Sequence, residues 1–137
     1  MTRSPIDPDL IDRLAEVAVR TGVNLQPGQE LVLTAPVSAL PLVRAVSRAA
    51  YRAGASLVMP LIADPEVALA RYRHAPDNSF EVAPDWLYSG MAEAFGRGAA
   101  RMAIVGEDPM LLAEADPSKV SRAGKANFRA YKPAMEK

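Results

Sequence analysis

The stretch GVNLQPGQELVLTAPVSALPLVRAVSRAAYRAGA, residues 22–55, decides how this chain folds. It reads as turn, strand, loop and helix, closed by a second turn. Gln26-Pro27-Gly28-Gln29 places proline and glycine at the two central turn positions, which favours a type II turn. Leu31-Val32-Leu33-Thr34 is a short apolar run bounded by turns, hence a buried strand. The spacing predicts a helix from near Ser38 to Gly54, with Leu42, Val43, Val46, Ala49, Ala50 and Ala53 on its apolar side. Pro41 is compatible because it falls in the first turn. A strand feeding a helix through a short loop often holds a phosphate or cofactor. The loop here, Ala35-Pro36-Val37-Ser38, has no glycine, and neither GxGxxG nor GxxxxGKS/T occurs in the sequence. Ser38 is therefore expected to be a plain helix N-cap, and this stretch to be scaffold.

The pattern continues outward on both sides. Asp-Pro recurs at Asp7-Pro8, Asp64-Pro65, Asp108-Pro109 and Asp116-Pro117. Asp caps an orphan amide and suits the positive helix end, while proline at the first helical position lacks only a donor that had no partner. Helices are expected over residues 8–21, from Asp64 to before Pro76, over 84–97, and from Asp116 toward Lys132, with a shorter pattern over 110–114. In the first, Leu10, Leu14, Val17 and Ala18 mark one apolar face and Gly22 the C-cap. Leu87, Met91, Ala94 and Phe95 mark the buried face of the helix over 84–97, and Gly98 ends it. Residues 57–62 and 102–105 read as two further buried strands. Apolar strands alternating with amphipathic helices imply an α/β fold: a small three-layer domain whose short parallel sheet, of about three strands in order 2-1-3, is flanked by helices. No repeat, low-complexity segment or linker is visible, so residues 1–137 read as one domain.

Composition narrows the function classes. Sixteen Lys and Arg balance sixteen Asp and Glu, whereas a nucleic-acid binder normally carries a basic excess. There is no cysteine, which excludes disulfides and thiolate metal sites. No apolar run approaches the ~20 residues of a membrane span, and the first residues lack an apolar signal core. A cytoplasmic protein with neither nucleic-acid nor membrane partners is the expectation.

Each candidate site has a plainer reading. Gly106-Glu107-Asp108-Pro109 follows the third strand, at the sheet end where open α/β folds bind ligands. Its two carboxylates could hold a cation; more simply, Asp108 caps the next turn, Gly106 relaxes the bend and Glu107 is solvated. His74, the single histidine, lies at a helix end beside Arg71 and Arg73 and is a poor metal ligand. Arg44, Arg48 and Arg52 form a basic stripe, and Lys119, Arg122, Lys125, Arg129 and Lys132 another. Both read as solvated helix faces. Trp86 is expected in core or interface packing. No nucleophile–base pair and no ligand cluster emerges, so no catalytic, cofactor-binding or metal residue is assigned.

A resemblance adds to this. Residues 14–58, LAEVAVRTGVNLQPGQELVLTAPVSALPLVRAVSRAAYRAGASLV, with APDWL at 83–87, GEDPMLL at 106–112 and KANFRAYKPAMEK at 125–137, are similar to the start of the thermophilic-type metallo-aminopeptidases, the group of aminopeptidase T, aminopeptidase S and PepS. The ordered series carries the likeness. It implies the N-terminal domain of an enzyme that removes N-terminal amino acids from peptides with a pair of divalent metals, zinc or cobalt. The family's ligands (glutamates, histidines, a tyrosine and an aspartate) lie in a C-terminal catalytic domain. No residue here matches one, so Tyr72, His74 and Glu107 take no such role and no cofactor is expected in this chain. The resemblance further implies that the domain helps to bound the substrate cavity of its parent. Its expected partners are the parent's catalytic domain, the peptide substrate and, because three strands leave edges and faces uncovered, a second copy. Trp86, Leu87 and Met91 on one helix, and Phe128 and Tyr131 on another, are the candidate surfaces for a homo-oligomer. The competing reading is a stand-alone α/β module for oligomerisation or small-ligand binding.

Overall fold

The computed structural model describes residues 8–105 and 116–135. Asp7, the segment Gly106–Pro109 and the helix expected over 110–114 lie outside the described residues. The chain forms two compact units, residues up to Ile62 with Gly98–Val105, and Ala63–Arg97 with the chain from 106 onward. The sequence shows no boundary between them because the chain passes from one to the other more than once, and no single linker separates them.

The first unit holds helix α1 (Pro8–Val17), strand β1 (Glu30–Pro36), helix α2 (Leu40–Arg52), strand β2 (Leu57–Ala63) and strand β3 (Ala100–Ala103). The sheet is parallel and ordered β2-β1-β3, as the crossover argument requires. Leu31 pairs with Ala100 and Thr34 with Ala103. The central strand β1 is buried along nearly its whole length, which is why it reads as an unbroken apolar run. Leu31, Leu33 and Ala35 pack with Ala15, Val19, Val43, Val46, Ala49, Ala50 and Val58 into one core.

The turn at 26–29 is the expected type II. Gly28 has φ 84°, and the Gln29 amide donates to the Gln26 carbonyl at 3.1 Å. Gln29 then does more. Its carbonyl accepts from Ser56 N–H at 3.0 Å, its Oε1 accepts from Gln26 N–H at 2.9 Å, and its Nε2 donates to the Gly98 carbonyl at 2.9 Å. Residues 29, 56 and 98 stand just before β1, β2 and β3, so one side chain and its backbone tie the three strand entrances. Gly54 completes the arrangement. It adopts φ 101°, and a Cβ there would lie 3.0 Å from Pro27 Cα and 3.1 Å from Pro27 Cβ.

Several expectations are corrected. Helix α1 ends in a π-helical turn, Ala18–Gly22, rather than at a glycine cap. Val23 N–H bonds Ala18 O and Leu25 N–H bonds Val19 O, and Asn24, with φ 53°, is the left-handed residue. Its buried face is Ile11, Ala15 and Val19, whereas Leu10, Leu14 and Val17 remain 44%, 52% and 60% exposed. The helix carries two apolar stripes; the one with the small residue Ala15 packs into the core, and exposed ion pairs accompany that rotation. Arg48 reaches Asp12 at 3.2 Å and Arg52 reaches Glu16 at 3.3 Å. With Asp12 and Glu16 turned to α2, the 3.6-residue period puts Ala15 and Val19 inward. Ser38 caps nothing: it is exposed within a 3-10 turn, Val37–Ala39, and the α2 N-cap is Ala39. β2 is an edge strand exposed at most positions, which Pro60 already signals because proline cannot donate to a ladder. β3 begins two residues earlier than expected, although Ile104 N–H still bonds Thr34 O at 2.8 Å.

The second unit contains α3 (Pro65–His74), a 3-10 turn (Asp77–Ser79), α4 (Asp85–Gly96) and α5 (Pro117–Met135). Two Asp-Pro caps act as expected. Asp64 Oδ1 accepts from Glu66 N–H and Asp116 Oδ1 from Ser118 N–H, both at 2.9 Å. α4 buries Met91 and half-buries Leu87, Ala94 and Phe95, and α5 buries Ala123 and Ala126. Gly98, with φ 95°, follows α4.

Substituting Gly54→Ala is expected to cost ~2 kcal/mol or more, from the left-handed backbone and the Pro27 contact together. Urea midpoints check this, and a shift near zero would mean that Gly54 sets no constraint. The α1 terminus gives a paired expectation. Asn24→Ala costs ~1 kcal/mol for a left-handed alanine, whereas Gly22→Ala, whose Cβ meets only Val17 O at 3.9 Å, is neutral or stabilises by up to ~1 kcal/mol. The reverse ranking would restore Gly22 as the cap.

Candidate functional site

Charge and aromatic chemistry converge most closely within the second unit, around a residue the sequence reading passed over. Phe80 follows the polar run Asp77-Asn78-Ser79 and is fully buried. Tyr72 of α3 stacks on it, with centroids 6.2 Å apart and planes at 17°. Arg71 Cζ, Lys119 Nζ and Arg122 Cζ lie 5.6, 5.3 and 5.3 Å from its ring centroid. A ring face is negative, so it attracts cations, most strongly where water is thinned. The local sequence explains the placement. Arg71 and Tyr72 are neighbours near the C-terminal end of α3, and Lys119 and Arg122, three residues apart, share a face of α5.

Each of these cations donates at least one hydrogen bond within the protein. Arg71 Nη2 donates to the carbonyls of Ser79 and Val82 at 3.0 and 2.9 Å. Lys119 Nζ donates to the Tyr72 carbonyl, at the end of α3, at 3.2 Å. Arg122 Nη2 donates to Asp77 Oδ1 at 2.8 Å, and its Nη1 lies 3.7 Å from Glu81. The hydrogen bond from Arg122 holds the Asp77 carboxyl below its ordinary range, and the same bond raises Arg122. A carboxyl whose folded pKa is depressed adds stability above its unfolded value and loses it as pH falls through the folded one. The Asp77 contribution therefore fades in acid, below the ordinary aspartate value of 3.8. Arg122 Nε and Asn127 Oδ1 are buried without a partner. The cluster fastens α3, the 3-10 turn and α5 around one ring. Its cations are already bound to carbonyls (Arg71, Lys119) or to carboxylates (Arg122), which makes them poor receptors for an anion.

The other candidates separate. His74 is exposed in the last turn of α3. The α2 stripe is a set of ion-pair partners for α1 at Arg48 and Arg52. The α5 stripe divides: Lys119 and Arg122 turn to Phe80, and Lys125, Arg129 and Lys132 face solvent. Trp86 is 78% exposed and Phe128 60%, so the tryptophan is not core. The Tyr131 side chain and Glu107 fall outside what is described. Among the described residues no group of three or more His, Cys, Asp or Glu could hold a metal ion, and no helix is long and apolar enough to cross a membrane.

Comparison with known proteins assigns the lineage. Residues 8–137 match the family model described as thermophilic metalloprotease (M29). The chain belongs to this metalloprotease family. It is 51% identical over 126 residues to aminopeptidase T of Thermus thermophilus, covering 92% of this chain and 31% of that protein. It is 46% identical to aminopeptidase T of Thermus aquaticus over 125 residues, covering 91% of this chain and 31% of the relative. A solved structure titled wild-type AmpT from Thermus thermophilus superposes with a TM-score of 0.89, covering 92% of this chain and 32% of that one. The chain thus spans about a third of the length of these relatives and corresponds to their N-terminal part. Among the described residues no donor set fits a metal site, and no metal chemistry is assigned to them.

Replacing Phe80 separates packing from ring electrostatics. Phe80→Ala is expected to cost ~3–5 kcal/mol, and Phe80→Leu, which keeps most of the volume, about 1–2 kcal/mol. A Phe80→Leu loss near zero in chemical denaturation would show that the cations draw nothing from the ring.

Proposed function

We propose that this chain is the non-catalytic N-terminal domain of a metal-dependent aminopeptidase. In this reading residues 1–137 form a scaffold that helps to bound the peptide-substrate cavity, and a separate catalytic domain binds the two divalent metals. The observation that carries it is coverage: the likeness to aminopeptidase T takes in 92% of this chain and only 31% of the relative. The want, among the described residues, of any group of three or more His, Cys, Asp or Glu that could hold a metal ion is consistent with it. A second reading, a self-associating module, draws support from the exposure of Trp86 and Phe128, on outer faces of α4 and α5.

The 137-residue chain is expected to show no metal-dependent hydrolysis of leucyl-para-nitroanilide with added zinc or cobalt. Turnover that survives purification and is abolished by a chelator would overturn the non-catalytic assignment. Sedimentation equilibrium decides the second reading: a concentration-dependent dimer that Trp86→Ser or Phe128→Ser returns to 14.7 kDa would favour the module.

A further inference from the structure

The outer stripe of α1 is unexplained by the fold of its own unit. Leu10, Leu14 and Val17 are spaced by four and three residues, the step of a helix-packing seam. All three are about half exposed. Asp12 and Glu16 face α2 through Arg48 and Arg52, so the seam lies on the opposite flank of the helix, and the core takes Ile11, Ala15 and Val19 between them. A helix that is apolar on a second side calls for a second covering element.

Which element covers it follows from charge and size. The solvent border of the seam carries Arg13 and Arg20. Arg13 Nε donates to the Asp9 carbonyl at 3.4 Å, and Arg20 pairs with Glu16 at 2.7 Å. Two copies of α1 packed antiparallel about a two-fold axis would set this arginine border against itself, a like-charge arrangement. The seam is also short. Ten helical residues extend ~15 Å, and three half-exposed aliphatic side chains offer on the order of a few hundred Å², against the ~1,200 Å² or more of stable associations between separate proteins. A covalently continuous occupant escapes that requirement, because the tether raises its effective concentration. The relatives carry such chain: the matched part is 31% of aminopeptidase T.

We infer that the Leu10–Leu14–Val17 seam is the docking surface for an apolar segment, bordered by carboxylates, in the remaining two thirds of an aminopeptidase T-length chain. The inference rests on the domain reading above and names the surface by which this domain is held.

The test joins residues 1–137 in frame to the remainder of Thermus thermophilus aminopeptidase T, with and without Leu10→Lys plus Leu14→Lys, and also makes the change in the 137-residue chain. Calorimetry and leucyl-para-nitroanilide turnover are the readouts. In the 137-residue chain the change should leave the midpoint within a few degrees, as for exposed side chains. In the fusion it should split one transition into two. An active fusion whose single transition is unmoved would overturn the docking surface and leave the domain reading standing. A wild-type fusion that folds but is inactive would overturn both. A 137-residue chain that dimerises and is made monomeric by the same change would give the seam to a second copy and overturn the inference. Should the lysines unfold the chain by circular dichroism, Leu14→Gln replaces them under the same criteria.

Discussion

The approach of Pro27 to Gly54 is the constraint from which the first unit is built. Only a residue without Cβ fits there, because the backbone is left-handed and the proline lies at van der Waals contact. That closeness lets Gly28 N–H reach Gly54 O at 2.8 Å and Ser56 N–H reach Gln29 O at 3.0 Å. The turn before β1 is thereby fixed to the turn before β2, and Gln29 Nε2 extends the connection to Gly98, two residues ahead of β3. Strand order and register then need little further specification, since parallel neighbours that start level pair level. The short apolar run of β1 becomes the central strand because its entrance is the point all three share.

This arrangement explains why the most suggestive stretch of the sequence carries no chemistry. In nucleotide-binding α/β proteins the glycines sit after the strand, where backbone amides approach a phosphate. Here they sit before β1 and after α2, at the opposite end, and their open backbone is filled by Pro27 and each other's hydrogen bonds. The loop after β1 begins its helix with a 3-10 turn and no side-chain cap. Gly28 and Gly54 serve assembly of the sheet, and several charged pairs fasten helices: Asp12–Arg48 and Glu16–Arg52 join α1 to α2, while Arg122 and Asp77 close the ring around Phe80.

Features governed by local chemistry were legible in the sequence. The type II turn, the Asp64 and Asp116 caps, the glycine ending α4 and the strand order all follow from steric or hydrogen-bonding rules that act within a few residues or from chain handedness. Features decided by a distant partner were not. Leu10, Leu14 and Val17 form as regular an apolar stripe as Ile11, Ala15 and Val19, and the choice between them is made by packing against α2 and the sheet, with the α2 arginines, 36 positions on, pairing Asp12 and Glu16. Ser38 has the right side chain for a cap, but a 3-10 turn moves the helix start beyond it. β2 is as apolar as β1 and differs by its place at the edge, which Pro60 alone announces. Phe80 looks like an isolated aromatic in a polar loop until Arg71, Lys119 and Arg122 arrive from two helices. The candidate site was therefore read less well than the fold, since its members are gathered by tertiary packing.

The same distinction bears on what an aminopeptidase T-like chain requires of this segment. A segment that corresponds to the N-terminal part of a longer relative can be rigid where it holds its own shape and adhesive at its outer faces. Rigidity here comes from small residues at close contacts, Ala15, Ala49, Ala50 and Gly54, which suit a tightly packed α1–α2–sheet core. Larger aliphatics are left outside it, on the flank of α1 away from α2 and along edge strand β2. These exposed aliphatics are hydrophobic attraction that the core of the unit leaves unused.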